Sequence, residues 1–187
     1  MREITIIVFF LIALTPHLLA QASKRGVIIT QGYGTFITKN TDYTDYGGLK
    51  TEIGYCFQEN HLAFSSGYSI WQSSPIQNNK DSNFVLNSRV LTSNVLYTGL
   101  GYRWYHKRSS ANLIGGFCMR YMYGVVPVIN NKINVIHWFD TGLMLSIQPQ
   151  IELKKNLYFV SKCDICSFYN QTYNNISASI GLMIAFK

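Results

Sequence analysis

From residue 26 onward the apolar residues of this chain recur at every second position, and that period limits the fold more than any other feature. Leu49, Thr51, Ile53, Tyr55 and Phe57 alternate with Lys50, Glu52, Gly54, Cys56 and Gln58, which gives a β-strand one greasy face and one polar face. The next run repeats the pattern: Leu62, Phe64, Ser66, Tyr68 and Ile70 share one face, and His61, Ala63, Ser65, Gly67 and Ser69 the other. No window sustains the i, i+3, i+4, i+7 stripe of an amphipathic helix. The same period predicts eight strands, near 26–38, 47–58, 61–72, 85–106, 111–124, 133–148, 156–168 and 173–186. Pro75 and Pro127 fall in connections on this reading and Pro149 in a turn, so no proline interrupts a strand.

The connections alternate in length. Those at 39–46, 73–84, 125–132 and 169–172 are polar and mostly longer, and those at 59–60, 107–110 and 149–155 are shorter. An even number of strands brings both termini to the short-turn end, an arrangement typical of an antiparallel up-and-down barrel in a membrane. Alternation alone also suits a soluble barrel of the lipocalin kind that binds a small apolar ligand, because the two differ only in which face points outward. The charge content bears on that choice. Only 13% of the 187 residues are charged, where about 25% is usual in a soluble domain, and the greasy face of each strand carries almost none. A soluble barrel needs charge on that face to stay dissolved. The reading is therefore all-β: an eight-stranded antiparallel up-and-down transmembrane β-barrel.

Its greasy face ends in aromatic residues. Phe57, Tyr102, Trp104, Phe159 and Phe186 map to the short-turn end, and Phe36, Tyr68, Tyr121 and Tyr123 to the loop end. These would form the two interfacial girdles of a membrane barrel. The polar face collects Lys50, Glu52, Arg103, Arg120, Asp140, Lys162 and Asp164. A barrel of eight strands has an interior that side chains just fill, so these groups would be enclosed together and would have to pair. The expectation is a lumenal network that draws on Arg103, Arg120, Asp140 and Glu52 and holds the barrel shut.

The first residues resemble an address for export. Arg2 precedes an apolar run from Ile4 to Leu14, then Thr15-Pro16 and Ala20-Gln21-Ala22. That order of charge, short apolar stretch and small residues reads as a signal peptide over 1–22, cleaved after Ala22, with the barrel domain over 23–187. The run is shorter than the roughly 20 residues of a spanning helix. The net charge of +7 suits anionic lipid headgroups or nucleic acid. The aromatics lie in β-type runs rather than in a basic loop array, so no direct nucleic-acid contact is expected.

Candidate chemistry is sparse. Cys163 and Cys166 have CxxC spacing, but on a strand residues i and i+3 face opposite ways, so neither a disulfide nor a shared metal is expected. Cys56, Cys118 and Cys166 fall on the inner phase, where a pair in register could oxidise. His61 and His106 lie at short turns and His137 near the loop end, too scattered to share a metal, and His137 and Asp140 fall on opposite faces. No GxSxG, HExxH or phosphate loop occurs. The chain is read as no enzyme, with no catalytic residue, metal or cofactor. The loop from Gln72 to Asn83 is the longest, and that from Thr38 to Tyr46 carries Asp42, Tyr43, Asp45 and Tyr46, which suit either a partner-binding tip or a folded-back lid.

The last strand, with Ile176, Ala178, Ile180, Leu182, Ile184 and Phe186 on one face, resembles the terminal strand of outer-membrane barrels, and the chain from 23 on resembles the small eight-stranded, OmpX/OmpA-like class of Gram-negative bacteria. Within that class it is similar to the conjugative transposon TraO family. The similarity lies in Lys24-Arg25-Gly26-Val27-Ile28-Ile29 running into a Gly-rich first strand, and in Gly101-Tyr102-Arg103-Trp104-Tyr105 followed by Ile114-Gly115-Gly116-Phe117. The resemblance implies an exported protein in the outer membrane with a structural or interaction role, in contact with its lipid and with other subunits of a DNA-transfer apparatus.

Overall fold

The computed structural model describes residues 24–38, 46–75, 91–127, 133–169 and 173–186. They form eight strands: β1 (Lys24–Thr38), β2 (Tyr46–Glu59), β3 (Leu62–Pro75), β4 (Leu91–His106), β5 (Ser109–Pro127), β6 (Ile133–Lys154), β7 (Leu157–Phe168) and β8 (Tyr173–Phe186). Each pairs antiparallel with the next, and β8 pairs with β1 from Arg25↔Phe186 to Thr38↔Tyr173, which closes the barrel. The shortest strand has 12 residues, more than the roughly 9–11 that cross a bilayer. The proposed signal segment and the tips of the four longer connections lie outside the described residues.

Three two-residue turns join the strands at one end, Asn60-His61, Lys107-Arg108 and Lys155-Asn156. Each holds one residue in the left-handed region, Asn60 (φ 48°), Lys107 (φ 51°) and Asn156 (φ 69°). Asn enters that region readily, whereas Lys does so at some cost. The turn after β6 is displaced from its expected place. Pro149 stands inside β6, on the outer wall opposite Ala111 of β5, rather than in a turn. Proline has no N–H to donate, and the β6–β7 ladder skips from Ile147↔Cys163 to Gln150↔Val160 at that point. A register shift follows between Glu152 and Lys154. Pro75 and Pro127 are the last residues of β3 and β5, and Gln72, expected to open the longest loop, belongs to β3.

The two-residue period decides what faces where. Leu49 and Ile53 are exposed at 59% and 54%, and Leu182 and Ile184 at 46% and 60%, while Lys50, Glu52, Arg120 and Asp140 are buried. The lumen is filled. One apolar cluster contains Phe36, Trp71, Leu91, Met122 and Phe168, a second contains Ile28, Cys56, Tyr158, Val160 and Met183, and buried ionic groups complete the filling. Phe36, expected on the outer girdle, has the inward phase of β1 and lies inside, its ring 5.2 Å from that of Trp71.

Tyr97 of β4 shows how one long side chain crosses the interior. Its hydroxyl donates to Glu52 Oε1 of β2 at 2.6 Å, passing over Gly67 of β3 and Gly54 of β2, which are paired with each other. A Cβ at Gly67 would stand 2.5 Å from the Tyr97 oxygen and one at Gly54 2.7 Å from it. The two glycines make the trough in which the phenol lies. Gly67→Val is expected to displace Tyr97 and to destabilise the barrel by about 1–3 kcal/mol, as overpacking commonly does. The urea midpoint in detergent micelles measures this, and an unchanged midpoint would mean that the trough tolerates a larger side chain.

Candidate functional site

The buried ionic groups form two assemblies. Lys50 and Glu52 on β2 meet Lys162 and Asp164 on β7, reaching across β1 and β8. Four strands cooperate to make this space. Gly32 of β1 is paired with both Lys50 and Ser179, and Ser179 and Ser177 of β8 are paired with Lys162 and Asp164, so small residues floor the gap that the long lysines cross. Lys50 Nζ lies 2.7 Å from Glu52 Oε2 and 2.5 Å from Asp164 Oδ2. Lys162 Nζ lies 2.6 Å from Glu52 Oε1 and 3.4 Å from Asp164 Oδ1. Each ammonium touches both carboxylates, and the tetrad is neutral. Ser177 accepts from Lys50 at 3.3 Å, and the Lys162 ammonium stands 4.1 Å from the Tyr97 ring centroid.

The second assembly lies nearer the long-loop end. Arg120 of β5 donates to Asp140 Oδ2 of its ladder partner on β6 at 2.8 Å and to Asn175 Oδ1 of β8 at 2.9 Å. Its guanidinium is 3.8 Å from the centroid of Phe168. Guanidinium groups stack on rings readily because they are planar and weakly hydrated.

Glu52 therefore pairs with the two lysines and Arg120 with Asp140, in two separate assemblies where a single network was expected. Arg103 is the clearest correction: it is half-buried at the short-turn mouth, beside the Tyr105 ring at 5.5 Å, with no ion pair among the described residues. It has the inward phase of β4, but that strand delivers it to the rim. Tyr97, Asn175, Ser177 and Trp71 were not singled out from sequence. The signal that could have found Tyr97 is weak, because β4 carries apolar residues on both faces and its phase is ambiguous by composition.

The expected girdle residues also divide. Tyr102, Trp104, Tyr121, Tyr123, Phe159 and Phe186 are on the outer wall and exposed, and Tyr68 is there too but partly covered. Phe57 is a correction, since it is 0% exposed. It keeps the outward phase of β2 but is flanked in register by Arg25 of β1 and Phe64 of β3, long side chains that stand next to it on the same face. Around Tyr102 the rings gather, with His61 stacked on it at 5.1 Å and Trp104 edge-on at 4.9 Å. Tyr121 lies 5.8 Å from Tyr123, and its hydroxyl is 3.1 Å from His137 Nδ1. Apart from Arg25, no outward-phase strand residue among those described carries charge away from the turns.

The thiols sort by face. Cys163 is exposed and Cys166 buried, on opposite sides of β7, while the buried Cys118 and Cys166 belong to the same lumenal cluster and Cys56 Sγ lies 3.0 Å from Met183 Sδ. His137 is outside and Asp140 inside.

A closed eight-stranded barrel with an uncharged apolar wall and an ion-paired interior defines a class: this chain has the fold of the small outer-membrane β-barrels. Among the solved structures it resembles is Neisserial surface protein A, with a TM-score of 0.57 at 12% identity over 87% of this chain and 97% of that one. The attachment invasion locus protein of Yersinia pestis follows at 0.55 and 13% over 86% and 98%, and a major outer membrane protein from Thermus thermophilus at 0.57 and 12% over 85% and 99%. Identity this low establishes the fold alone. No family model and no curated protein matches the chain.

Removing one partner of a buried ion pair leaves an uncompensated charge and costs about 3–5 kcal/mol. Arg120→Met is expected to destabilise by that amount through Asp140, and adding Asp140→Leu should recover most of it. Urea unfolding of both variants in micelles checks this, and equal midpoints for the single and double variants would mean that Asp140 is hydrated rather than sealed.

Proposed function

We propose that this protein is an integral outer-membrane barrel with a structural or interaction role and no pore. The observation that carries the reading is the wall: Leu49, Ile53, Leu143, Leu145, Ile180 and Ile184 point outward on a sheet with no open edge, while six ionic groups are enclosed. In water that wall is an apolar patch far larger than the few hundred Å² a soluble monomer tolerates. In a bilayer it faces lipid, and closure satisfies each strand's hydrogen bonds. The exposed aromatics are read as the two girdles, Tyr102, Trp104, Phe159 and Phe186 at the short-turn level and Tyr68, Tyr121 and Tyr123 at the loop level.

The tetrad and the Arg120–Asp140 pair act as a plug. They cross the lumen at two levels and bind its walls together, leaving the rims as the places where partners are met. The soluble, ligand-binding reading needs an apolar cavity, and the ionic lumen argues against it. Export follows the signal peptide read over 1–22, with cleavage after Ala22.

The finer reading is a component of a conjugative DNA-transfer apparatus, with contacts to its other subunits. Its support is the likeness of segments 24–29, 101–105 and 114–117 to the TraO family.

Two measurements test these readings. After cell fractionation the protein is expected in the outer-membrane pellet, released by detergent and not by carbonate, and running faster on SDS gels before boiling than after. Recovery in the aqueous periplasm without detergent would overturn the membrane reading. Deletion of the gene should sharply lower the transfer frequency of its element while growth is unchanged, since an apparatus missing a structural part fails as a whole. Unchanged transfer would reject the conjugation role alone.

A further inference from the structure

The charges of the described residues are not spread evenly. The lumen balances, with Lys50, Arg120 and Lys162 against Glu52, Asp140 and Asp164. All the remaining cations stand at the short-turn end. Lys107, Arg108, Lys154 and Lys155 are exposed in and beside the two turns there, with Lys24, Arg25 and Arg103 behind them and only Glu59 and Glu152 opposing.

The four exposed cations belong to one surface. The turn after β4 and the turn after β6 flank the paired strands β5 and β6, whose ladder begins at Ser109↔Ile151. They are tied together where Glu152 N–H donates to Arg108 O at 2.8 Å. Glu152 has the inward phase of β6 and is paired in register with the buried Tyr158, so its carboxylate is turned from the outer face. Lys107 is kept at a left-handed φ of 51°, where Asn or Gly would sit more easily.

Below these turns the outer wall is apolar and grooved. Trp104 of β4 and Ile151 and Leu153 of β6 are each more than half exposed. Between them β5 offers only the small outward residues Ser109 and Ala111, Ala111 being paired with both Trp104 and Pro149. The result is a shallow trough floored by small side chains, walled by an indole on one side and aliphatic chains on the other, and headed by four cations.

We infer that this surface binds a phospholipid with an anionic headgroup: the acyl chain lies in the trough over Ala111, the glycerol backbone at the level of Trp104, and the phosphate between Lys107, Arg108, Lys154 and Lys155. This rests on the membrane reading above and adds to it a lipid class and a place. The lipid belongs to the leaflet that the short-turn end reaches. Charge complementarity sets the headgroup, because basic clusters at a membrane surface attract anionic lipid, and the attraction is screened by salt.

The test uses the full mature chain purified in detergent, offered equimolar phosphatidylglycerol and phosphatidylcholine, with bound lipid counted by native mass spectrometry. At low salt phosphatidylglycerol adducts are expected to exceed phosphatidylcholine adducts by about tenfold. The ratio should fall toward one in the variant Lys107→Gln, Arg108→Gln, Lys154→Gln, Lys155→Gln, and also in the unaltered chain at about 0.5 M salt, where surface charges are screened. The gel shift on boiling shows whether each variant is folded, and Lys154→Gln, Lys155→Gln alone serves if the fourfold variant is not. Equal binding of the two lipids by the unaltered chain, a preference that survives the substitutions, or retention of lipopolysaccharide in place of phosphatidylglycerol would each overturn the assignment. A chain that enters phosphatidylcholine vesicles but shows no headgroup preference rejects the headgroup site only. A chain that enters no vesicle rejects the membrane reading itself.

Discussion

Everything in this barrel depends on the ladder between β1 and β8. Until those strands pair, the sheet has two edges, each a row of unsatisfied N–H and C=O groups that an apolar medium penalises by several kcal/mol apiece. Once they pair, over fourteen consecutive positions from Arg25↔Phe186 to Thr38↔Tyr173, no edge remains and every residue is assigned to the wall or the lumen. A one-residue slip would turn Ile180, Leu182 and Ile184 inward and Ser177, Ser179 and Met183 outward. The apolar wall and the ionic lumen are thus one constraint seen from two sides.

That constraint explains why so many ionic groups are inside. A small barrel has no room for bulk water, so an inward charge must find an opposite one, and the charges come in matched sets. The tetrad has two ammonium groups and two carboxylates with each cation touching both anions, and Arg120 has Asp140 beside it with Asn175 taking a further donor. Such groups need not raise stability above that of an apolar filling. What they add is specificity, because a shifted register would leave them unpaired.

The same logic separates what could be read from the sequence and what could not. The period of two fixes the facing of Lys50, Arg120, Asp140, Lys162 and Asp164, since each falls on the polar phase of a strand whose other phase is apolar. It also fixes the eight-stranded architecture. Pairing is another matter: Glu52 reaches Lys162, 110 residues away, because of how far β7 is staggered against β2, and stagger is a property of the closed sheet. Phe57 and Arg103 mark the limit at strand ends. There the phase still holds, yet exposure depends on neighbours and on how near the rim the residue stands. Pro149 marks another, since proline is a turn signal that the outer wall of a strand tolerates where the ladder hydrogen bond is absent.

The placing of the tetrad carries the argument one step further. Its two halves are on β2 and β7, the strands on either side of the β1–β8 seam. The seam joins the beginning and the end of the chain, so its pairs close the longest loop and carry the largest entropic cost of any ladder in the fold. Lys50 and Lys162 reach over Gly32 and Ser179, the paired residues of the seam itself, to opposite charges on the far side. Larger residues at those positions would hold β2 and β7 charges apart. The small residues of β1 and β8 and the long cations of β2 and β7 are therefore parts of one clasp, which ties from within the junction whose closure cost is greatest.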